Sequence, residues 1–242
     1  MSSLQHTRSL QEAPNERLAS IAAFLDRDIE LSFFNLFWIY AIASTVGLLV
    51  ETVVSYPIDG VWKSRAGLIW GPFSPIYGVG ALIMTVFLNR LRRGNPVALF
   101  VCAGILGGAF ELFAGLFWEK VFGFVAWDYS THPFNIAGKT CLGIAIVWGF
   151  LGLVWMKFLL PATVWIAELI PPQARGVVTG ICFALTMVDV AATIMAFNCW
   201  FDRQAGLPVT GEVQRFFATY FGDAFMDSRF QTISMYPQLA AR

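Results

Sequence analysis

Five apolar stretches, each about as long as a lipid bilayer is thick, constrain this chain more than any other feature. They cover residues 31–54, 75–91, 96–118, 137–160 and 176–200. A helix needs about 20 mostly apolar residues to cross a hydrocarbon core roughly 30 Å thick. Because backbone polar groups cannot remain unpaired in lipid, such stretches must be helical. The sequence therefore predicts an all-α, polytopic membrane helix bundle with about five transmembrane helices.

Composition indicates that the chain lies in a lipid bilayer and argues against nucleic-acid and metal binding. Hydrophobic residues make up 57% of the chain and charged residues 13%, with a formal net charge of zero. A nucleic-acid partner would require a basic stripe, so that class is excluded. The four cysteines are scattered and lack the spacing of a zinc site or a disulfide framework. We therefore predict no cofactor and no metal site.

Amphipathic stripes flank the apolar stretches. Before the first span they comprise Leu18, Ile21, Ala22, Leu25 and Ile29, and after the last span Val213, Phe216, Phe217, Tyr220, Phe221 and Phe225. This spacing predicts helices lying on the membrane surface at both ends. The chain then divides into a polar tail with an amphipathic helix (1–30), a four-helix membrane core (31–161), an additional transmembrane helix (162–202) and an aromatic amphipathic tail (203–242).

An odd number of crossings places the two ends of the chain on opposite sides of the membrane. We call the N-terminal side A and the other side B. Arg90, Arg92 and Arg93 cluster in a short loop on side A, which favours the cytoplasm for that side. The N-terminus lacks the apolar core and cleavage site of a signal peptide. We expect a multi-pass protein of the bacterial cytoplasmic membrane.

Three acidic residues, Glu51, Glu111 and Asp189, lie within the apolar stretches. A charge at the bilayer centre costs about 2.5 to 3.5 kcal/mol on insertion scales, so each acid should face protein or water. Glu51 and Glu111 each continue a stripe of small residues at four-residue spacing, and small stripes are where membrane helices approach closely. We expect both carboxyl groups to meet in one pocket near side B. For Asp189, a functional role and a helix-packing hydrogen bond remain open.

The first four helices show signs of an internal repeat. The triplet Pro72-Phe73-Ser74 follows Glu51 by 21 positions, and the triplet Pro133-Phe134-Asn135 follows Glu111 by 22. Ser74 and Asn135 are both residue types that cap helices. We interpret the two hairpins as a parallel repeat about an axis along the membrane normal, as in some transporters. Chance similarity of two apolar hairpins is the alternative.

Two neighbouring carboxyl groups out of water cannot easily both ionise, so one would keep a proton unless a cation pairs with it. Such a pair can bind a cation, relay a proton or hold a polar group of a substrate. The two loops that follow the acids supply further polar and aromatic candidates. The predicted substrate-binding set comprises Glu51, Glu111, Arg65, Tyr77, Trp127, Asp128, Asn135 and Lys139. Alternatively, Trp127 anchors the chain at the membrane surface and Asp128 closes a turn.

Several motifs resemble one family of membrane proteins. They are Gly71-Pro72-Phe73-Ser74-Pro75-Ile76-Tyr77-Gly78, Glu111, Trp127-Asp128-Tyr129-Ser130, Pro133-Phe134-Asn135, Gly138-Lys139-Thr140-Cys141 and Trp148-Gly149. Together they resemble the CmpB-like proteins, catalogued as "Putative ABC-transporter type IV" permeases, over roughly residues 33–161. Two departures concern Arg65, which is displaced by one position from the arginine usual in the family, and Ser74, which replaces a cysteine. The serine argues against a thiol function there.

The resemblance implies a permease-like transport subunit, which would work with a separate ATPase subunit and as a homo-oligomer. The sequence contains no GxxxxGK[ST] phosphate-binding loop, so we do not expect this chain to hydrolyse ATP itself. Two alternatives remain open. One is a membrane-embedded enzyme acting on a lipid or polyprenyl substrate, with one acid as general base. The other is a non-catalytic membrane sensor or assembly factor.

Overall fold

The computed structural model describes residues 29–236 and Ala23. Its helices are α1 (Phe33–Asp59), α2 (Pro75–Leu88), α3 (Pro96–Phe122), α4 (Leu142–Val154), α5 (Leu160–Glu168), α6 (Arg175–Gln204), α7 (Gly211–Tyr220) and α8 (Asp223–Arg229). A 3₁₀ turn (Asn89–Leu91) follows α2, a π-helical segment (Trp155–Leu159) joins α4 to α5, and two short strands are β1 (Phe124–Val125) and β2 (Ser234–Met235).

Four of these helical segments are long and apolar enough to cross a bilayer, which confirms the polytopic all-α class. They are Phe33–Asp59, Pro96–Phe122, Leu142–Glu168 and Arg175–Gln204. The remaining predicted span begins at Pro75 as expected, but α2 has only 14 residues before the 3₁₀ turn. At 1.5 Å per residue, α2 is about 21 Å long, less than a full hydrocarbon core.

Local sequence explains where the long helices begin and end. The Ser32 hydroxyl accepts a hydrogen bond from the Asn35 backbone N–H at the start of α1, and the Asn95 side chain accepts from Val97 N–H at the start of α3. Both helices end at a glycine in the left-handed region, Gly60 (φ 70°) and Gly123 (φ 65°). Glycine adopts this conformation without steric cost, so it stops a helix cleanly.

The first connection, residues 60–74, turns back into the bundle. Ser74, immediately before α2, donates its backbone N–H to the carbonyl oxygen of Ser44 at 3.2 Å. Ser44 lies 15 residues before the end of α1, about 22 Å along the helix axis. The chain therefore returns roughly half the length of α1 without helical structure, and Leu68 and Ile69 are each only 3% exposed. Irregular backbone at such depth is tolerated only when protein or a watery cavity surrounds it.

The second connection, residues 123–141, takes a similar path. The Thr140 hydroxyl lies 3.5 Å from the Cβ position of Gly108, which is 14 residues before the end of α3. The chain again returns about 21 Å before a helix resumes. The sequence placed this helix start at residue 137 with Asn135 as a possible cap. That prediction is wrong, because α4 begins at Leu142 with Cys141 at the cap position.

Equivalent glycines make equivalent contacts in the two hairpins, which supports the predicted repeat. A Cβ atom at Gly47 of α1 would lie 2.3 Å from the ring of Tyr77 in α2. A Cβ atom at Gly107 of α3 would lie 2.2 Å from the ring of Trp148 in α4. Positions in α1 and α3 thus correspond at an offset of 60, and positions in α2 and α4 at an offset of 71. Glu51 and Glu111 obey the first offset.

A second layer of contacts repeats at the same offsets. Gly78 of α2 packs against Tyr40 of α1, and Gly149 of α4 packs against Phe100 of α3. The sequence comparison matched Pro72 with Pro133, an offset of 61, and this match is wrong. The second connection is longer than the first, so the offset between equivalent residues rises from 60 before the connections to 71 after them. The offset of 71 pairs the Ala66-Gly67 dipeptide with the Ala137-Gly138 dipeptide.

The two hairpins meet through α2 and the kinked helix after α4. The indole Nε1 of Trp155 donates a hydrogen bond to the hydroxyl of Thr85 at 3.0 Å, and both residues are buried. The π-helical turn that carries Trp155 precedes Pro161, whose missing N–H breaks the regular ladder. α5 then packs against α1 and leads to α6.

The aromatic tail packs against α6. Phe217, Met226 and Phe230 are buried against Phe197 and Trp200 of α6. The other side of the predicted stripe is exposed, with Val213, Phe216 and Tyr220 each more than half accessible. The amphipathic prediction holds for α7, but the tail is also a second core on side B. The predicted N-terminal amphipathic helix lies outside the described residues, apart from Ile29, which packs into the main core.

Candidate functional site

Glu51 lies on α1 beside the first connection and pairs with an arginine. The Arg65 Nη1 atom is 3.4 Å from Glu51 Oε1, and its Nη2 atom is 2.5 Å from Asp59 Oδ2. The Glu51 side chain is 30% exposed, against 17% for Arg65. The sequence expectation that Arg65 stands near the carboxyl groups is therefore met at Glu51, and Asp59 shares the guanidinium.

Tyr77 connects the first carboxyl group to the rest of the site. Its ring fills the space that the missing side chain of Gly47 leaves on α1. Its hydroxyl end lies within interaction range of both Glu51 and Tyr129. Tyr77 is the first aromatic residue of α2. It therefore interacts with residues of both the first hairpin and the second connection.

Glu111 is the more enclosed of the two acids, with 9% of its surface exposed. The Tyr129 hydroxyl donates to Glu111 Oε1 at 3.4 Å. The indole of Trp148 lies beside the carboxyl group. The Oε2 atom is buried and has no hydrogen-bond partner among the described protein atoms. Burying such an acceptor unpaired costs free energy, so Oε2 is available to a donor from elsewhere.

Tyr129 of the second connection interacts with both carboxyl groups, at short range with Glu111 and at longer range with Glu51. Burial, followed by the negative charge of Glu111, raises the pKa of Tyr129 above its usual value. The phenol therefore stays protonated at neutral pH and can donate. Each acid thus has a tyrosine partner, Tyr77 for Glu51 and Tyr129 for Glu111, and the two tyrosines interact electrostatically.

The other predicted site residues shape the second connection. The Trp127 indole donates to the Lys139 carbonyl oxygen at 2.8 Å, and the Lys139 ammonium forms an ion pair with Glu119. Asn135 donates to the carbonyl oxygens of Ser130 and His132 at 3.1 and 2.9 Å. Trp127 and Asn135 thus bond within the second connection, and Lys139 ties it to α3.

Asp128 closes a turn, one of the two roles considered from the sequence. Its Oδ1 atom accepts the backbone N–H of Ser130 at 2.9 Å. This hydrogen bond, with a smaller contribution from Lys139, lowers the pKa of the exposed Asp128 carboxyl group. The strained backbone nearby includes Phe134 and Ala137, both with positive φ.

Asp189 braces the first connection from α6. Its Oδ1 atom accepts the backbone N–H of Trp70 at 3.2 Å, and the Thr193 hydroxyl one turn later accepts the N–H of Ile69 at 3.0 Å. From the other side, Arg229 donates to the carbonyl oxygens of Leu68 and Gly71 at 2.9 and 2.5 Å. The helix-packing interpretation of Asp189 is therefore the one its contacts support, with a loop as the partner.

An open cleft of about 490 Å³ lies beside this brace, bounded by Leu48 and Thr52 of α1, the first connection and Arg229. Of the predicted site residues, only Arg65 lines it. This cleft is therefore separate from the carboxylate site, and the two share one guanidinium, that of Arg65. Among the described residues, no group of three His, Cys, Asp or Glu side chains is arranged to hold a metal ion.

Sequence reasoning missed two aromatic residues at the site, Tyr129 and Trp148. Both occur in the motifs that carry the family resemblance, but neither entered the predicted site. The signal that would have found Trp148 is the aromatic-glycine pair Trp148-Gly149, which matches Tyr77-Gly78 at an offset of 71. Tyr129 has no counterpart in the first connection, so only tertiary structure shows its contact with Glu111.

The helices that are long and apolar enough to span a bilayer define a polytopic α-helical membrane protein, and Glu51 and Glu111 lie on two of them. The family model described as "Putative ABC-transporter type IV" matches residues 38–194. The chain belongs to this family, as the sequence resemblance predicted. The match extends beyond the predicted region to include most of α6, which carries Asp189. No curated protein and no solved structure matches the chain.

Proposed function

We propose that this chain is the membrane subunit of a transporter, and that Glu111 and Glu51 bind the transported solute. The observation that carries the proposal is the buried Oε2 atom of Glu111, which has no protein partner among the described residues. A solute with N–H donors, such as an ammonium-bearing compound, would complete its hydrogen bonding. Tyr129 and Trp148 would fix the orientation of the acid.

The two returning connections support transport over a purely structural role. Non-helical backbone at membrane depth is found where chains line a path or a binding site. Here both connections reach about halfway along their helices and bring polar groups to the same level as the acids. A chain only required to span the membrane would have no need of them.

Energy would come from a separate ATPase subunit, and we place the assembly, as a homo-oligomer, in the bacterial cytoplasmic membrane. The family membership and the absence of a phosphate-binding loop from this sequence support that division of labour. Flux in vesicles from expressing cells tests it. ATP, but not a proton gradient alone, should drive accumulation, and gradient-driven accumulation without ATP would contradict the ATPase partner.

Solute binding is tested on the purified protein by titration calorimetry with ammonium, methylammonium and tetramethylammonium. Glu111→Gln should weaken binding of methylammonium by roughly 10- to 100-fold, because a hydrogen bond to a charged group contributes about 1.5 to 3 kcal/mol. Tetramethylammonium, which has no N–H donors, should bind weakly to either form. Glu212→Gln makes the same change at an exposed position on α7 and should have no effect. Equal affinity for Glu111→Gln and Glu212→Gln would refute the carboxylate role.

A further inference from the structure

Three cationic side chains line the open cleft next to the first connection. They are Lys63, Arg65 and Arg229, and the acids that interact with them are Asp59, Glu51 and Asp189. Lys63 has 38% of its side chain exposed and pairs with Asp59, which Arg65 shares. The cleft therefore offers an anion a partly exposed ammonium group beside a second cation, Arg65.

The wall of the cleft belongs to the membrane-spanning part of α1. Leu48 and Thr52 form this wall, and the next positions along the helix, Leu49 and Val53, are apolar and 54% and 60% exposed. A ligand in the cleft would therefore touch both the basic groups and the acyl-chain region. A soluble anion would leave the apolar wall unused.

Exposed aromatic rings mark the depth of the cleft. Tyr56 at the end of α1 stacks on Trp62 with ring centroids 4.3 Å apart, and both rings are more than 40% exposed. Tyr and Trp gather where the hydrocarbon meets the lipid headgroups. Lys63 and Arg65 directly follow Trp62 in the chain, so the basic groups lie at headgroup level.

We propose that this cleft binds the phosphate of an anionic phospholipid from the side-B leaflet. Its phosphodiester would interact with Lys63 and Arg65, while an acyl chain follows α1. Basic pockets beside transmembrane helices recognise anionic headgroups in this way. The bound lipid would compete with Glu51 for Arg65, and so connect the lipid to the carboxylate site.

The test is native mass spectrometry of the detergent-purified full chain, titrated separately with phosphatidylglycerol, phosphatidylcholine and inorganic phosphate. Phosphatidylglycerol should bind at least fivefold more tightly than phosphatidylcholine. Lys63→Gln should weaken phosphatidylglycerol binding about fivefold, the attraction that one lysine contributes at an anionic surface. Thr52→Phe, which fills the cleft without changing charge, should weaken both lipids.

Lys120→Gln is the matched control, because Lys120 is exposed at the side-B end of α3 and lies away from the cleft. It should bind phosphatidylglycerol like the unmodified protein. Equal losses for Lys63→Gln and Lys120→Gln would overturn the proposal. Inorganic phosphate that displaces phosphatidylglycerol in a Lys63-dependent manner would overturn the lipid assignment in favour of a soluble anion. Neither result affects methylammonium binding at Glu111, which tests the transport proposal separately.

Discussion

The two connections that turn back into the bundle follow related paths but are held by different parts of the protein. The first is held from outside, by Asp189 and Thr193 of α6 and by Arg229 of α8. The second is held by hydrogen bonds among its own residues, including those of Trp127 and Asn135, by the ion pair of Lys139 with Glu119 of α3, and by the pairing of β1 with β2.

The acids of the two hairpins differ in the same way. Glu51 has a cationic partner, Arg65, at 3.4 Å, and retains partial exposure. Glu111 is enclosed and its described partners are neutral aromatic residues. The repeat thus preserves the position of the carboxyl group and changes its surroundings. Two copies of one hairpin can in this way provide one acid that pairs with an arginine and a second acid that is available to a ligand.

The largest loss of thermal stability is expected from substituting the two equivalent glycines, Gly47 and Gly107, at which the hairpins make the same contact. Gly47→Ala and Gly107→Ala each place a Cβ atom within 2.3 Å of an aromatic ring in the next helix. Overpacking a buried contact costs about 1 to 3 kcal/mol, so each variant should melt about 2 to 12 °C lower in detergent. Thermal unfolding followed by circular dichroism measures this.

Gly180→Ala is the control for these variants, because no atom lies within 4 Å of its Cβ position on α6. It should leave the melting temperature unchanged or raise it, since alanine favours helix over glycine. If Gly107→Ala melts like Gly180→Ala while Gly47→Ala is destabilised, the close packing is confined to the first hairpin and the repeat is contradicted.

The next prediction concerns hydrogen exchange, which should change in one connection and not in the other. Asp189→Ala removes the acceptor of the partly buried Trp70 N–H group and leaves it unpaired, at a cost of about 1 kcal/mol, the low end for a donor that loses its partner. Hydrogen exchange measured by mass spectrometry should become faster in residues 66–72 and stay unchanged in residues 129–140.

The converse variant is Glu119→Gln, which removes the ion-pair partner of Lys139. Exchange should then become faster around residue 139 and stay unchanged in residues 66–72. Equal changes in exchange in both connections for either variant would show that the two connections open as one unit. Their different contacts would then not affect their local stability.

Hydropathy and stripe patterns predicted the helices well because both depend on local sequence. The limits of α1 and α3 follow from capping residues and glycine, and the small stripes predicted the close approach at Gly47 and Gly107. The start of α4 was misplaced, since residues 137–141 adjoin an apolar run but are bonded into a loop, with Ile136 N–H donating to the Thr140 carbonyl oxygen at 2.8 Å. Hydropathy alone cannot distinguish the end of a buried loop from the start of a helix.

The carboxyl groups were found from sequence because a charge in an apolar run is itself a signal. The bracing of the first connection was not, because Arg229 and Leu68 are 161 residues apart in the chain. The role of Asp189 likewise depends on a loop 119 residues away. Contacts at such separation leave no local pattern, so a single sequence does not reveal them.

A smaller effect compares the two acids directly. Glu51→Gln leaves Arg65 with Asp59 alone and should lower stability by up to about 1 kcal/mol, the upper range for a partly exposed ion pair. Glu111→Gln removes no ion pair in the described structure and should be neutral or stabilising, because a neutral amide is easier to bury. Double-mutant cycles with Arg65→Gln should be non-additive for Glu51 and additive for Glu111. Additivity in both cycles would contradict the pairing of Glu51 with Arg65.

The smallest effect concerns Asp128, a turn residue that only the second connection contains. Its pKa is lowered in the folded protein by the Ser130 N–H group, so the ionised form stabilises the turn above the usual carboxyl pKa of about 4. This stabilisation is lost as the pH falls through the lowered value, where the folded carboxylate takes up its proton. The melting temperature should therefore exceed that of Asp128→Asn by about 1 °C or less at pH 6, and the difference should vanish toward pH 3. A difference that grows as the pH falls has the opposite sign and would mean that the protonated acid, not the carboxylate, holds the turn.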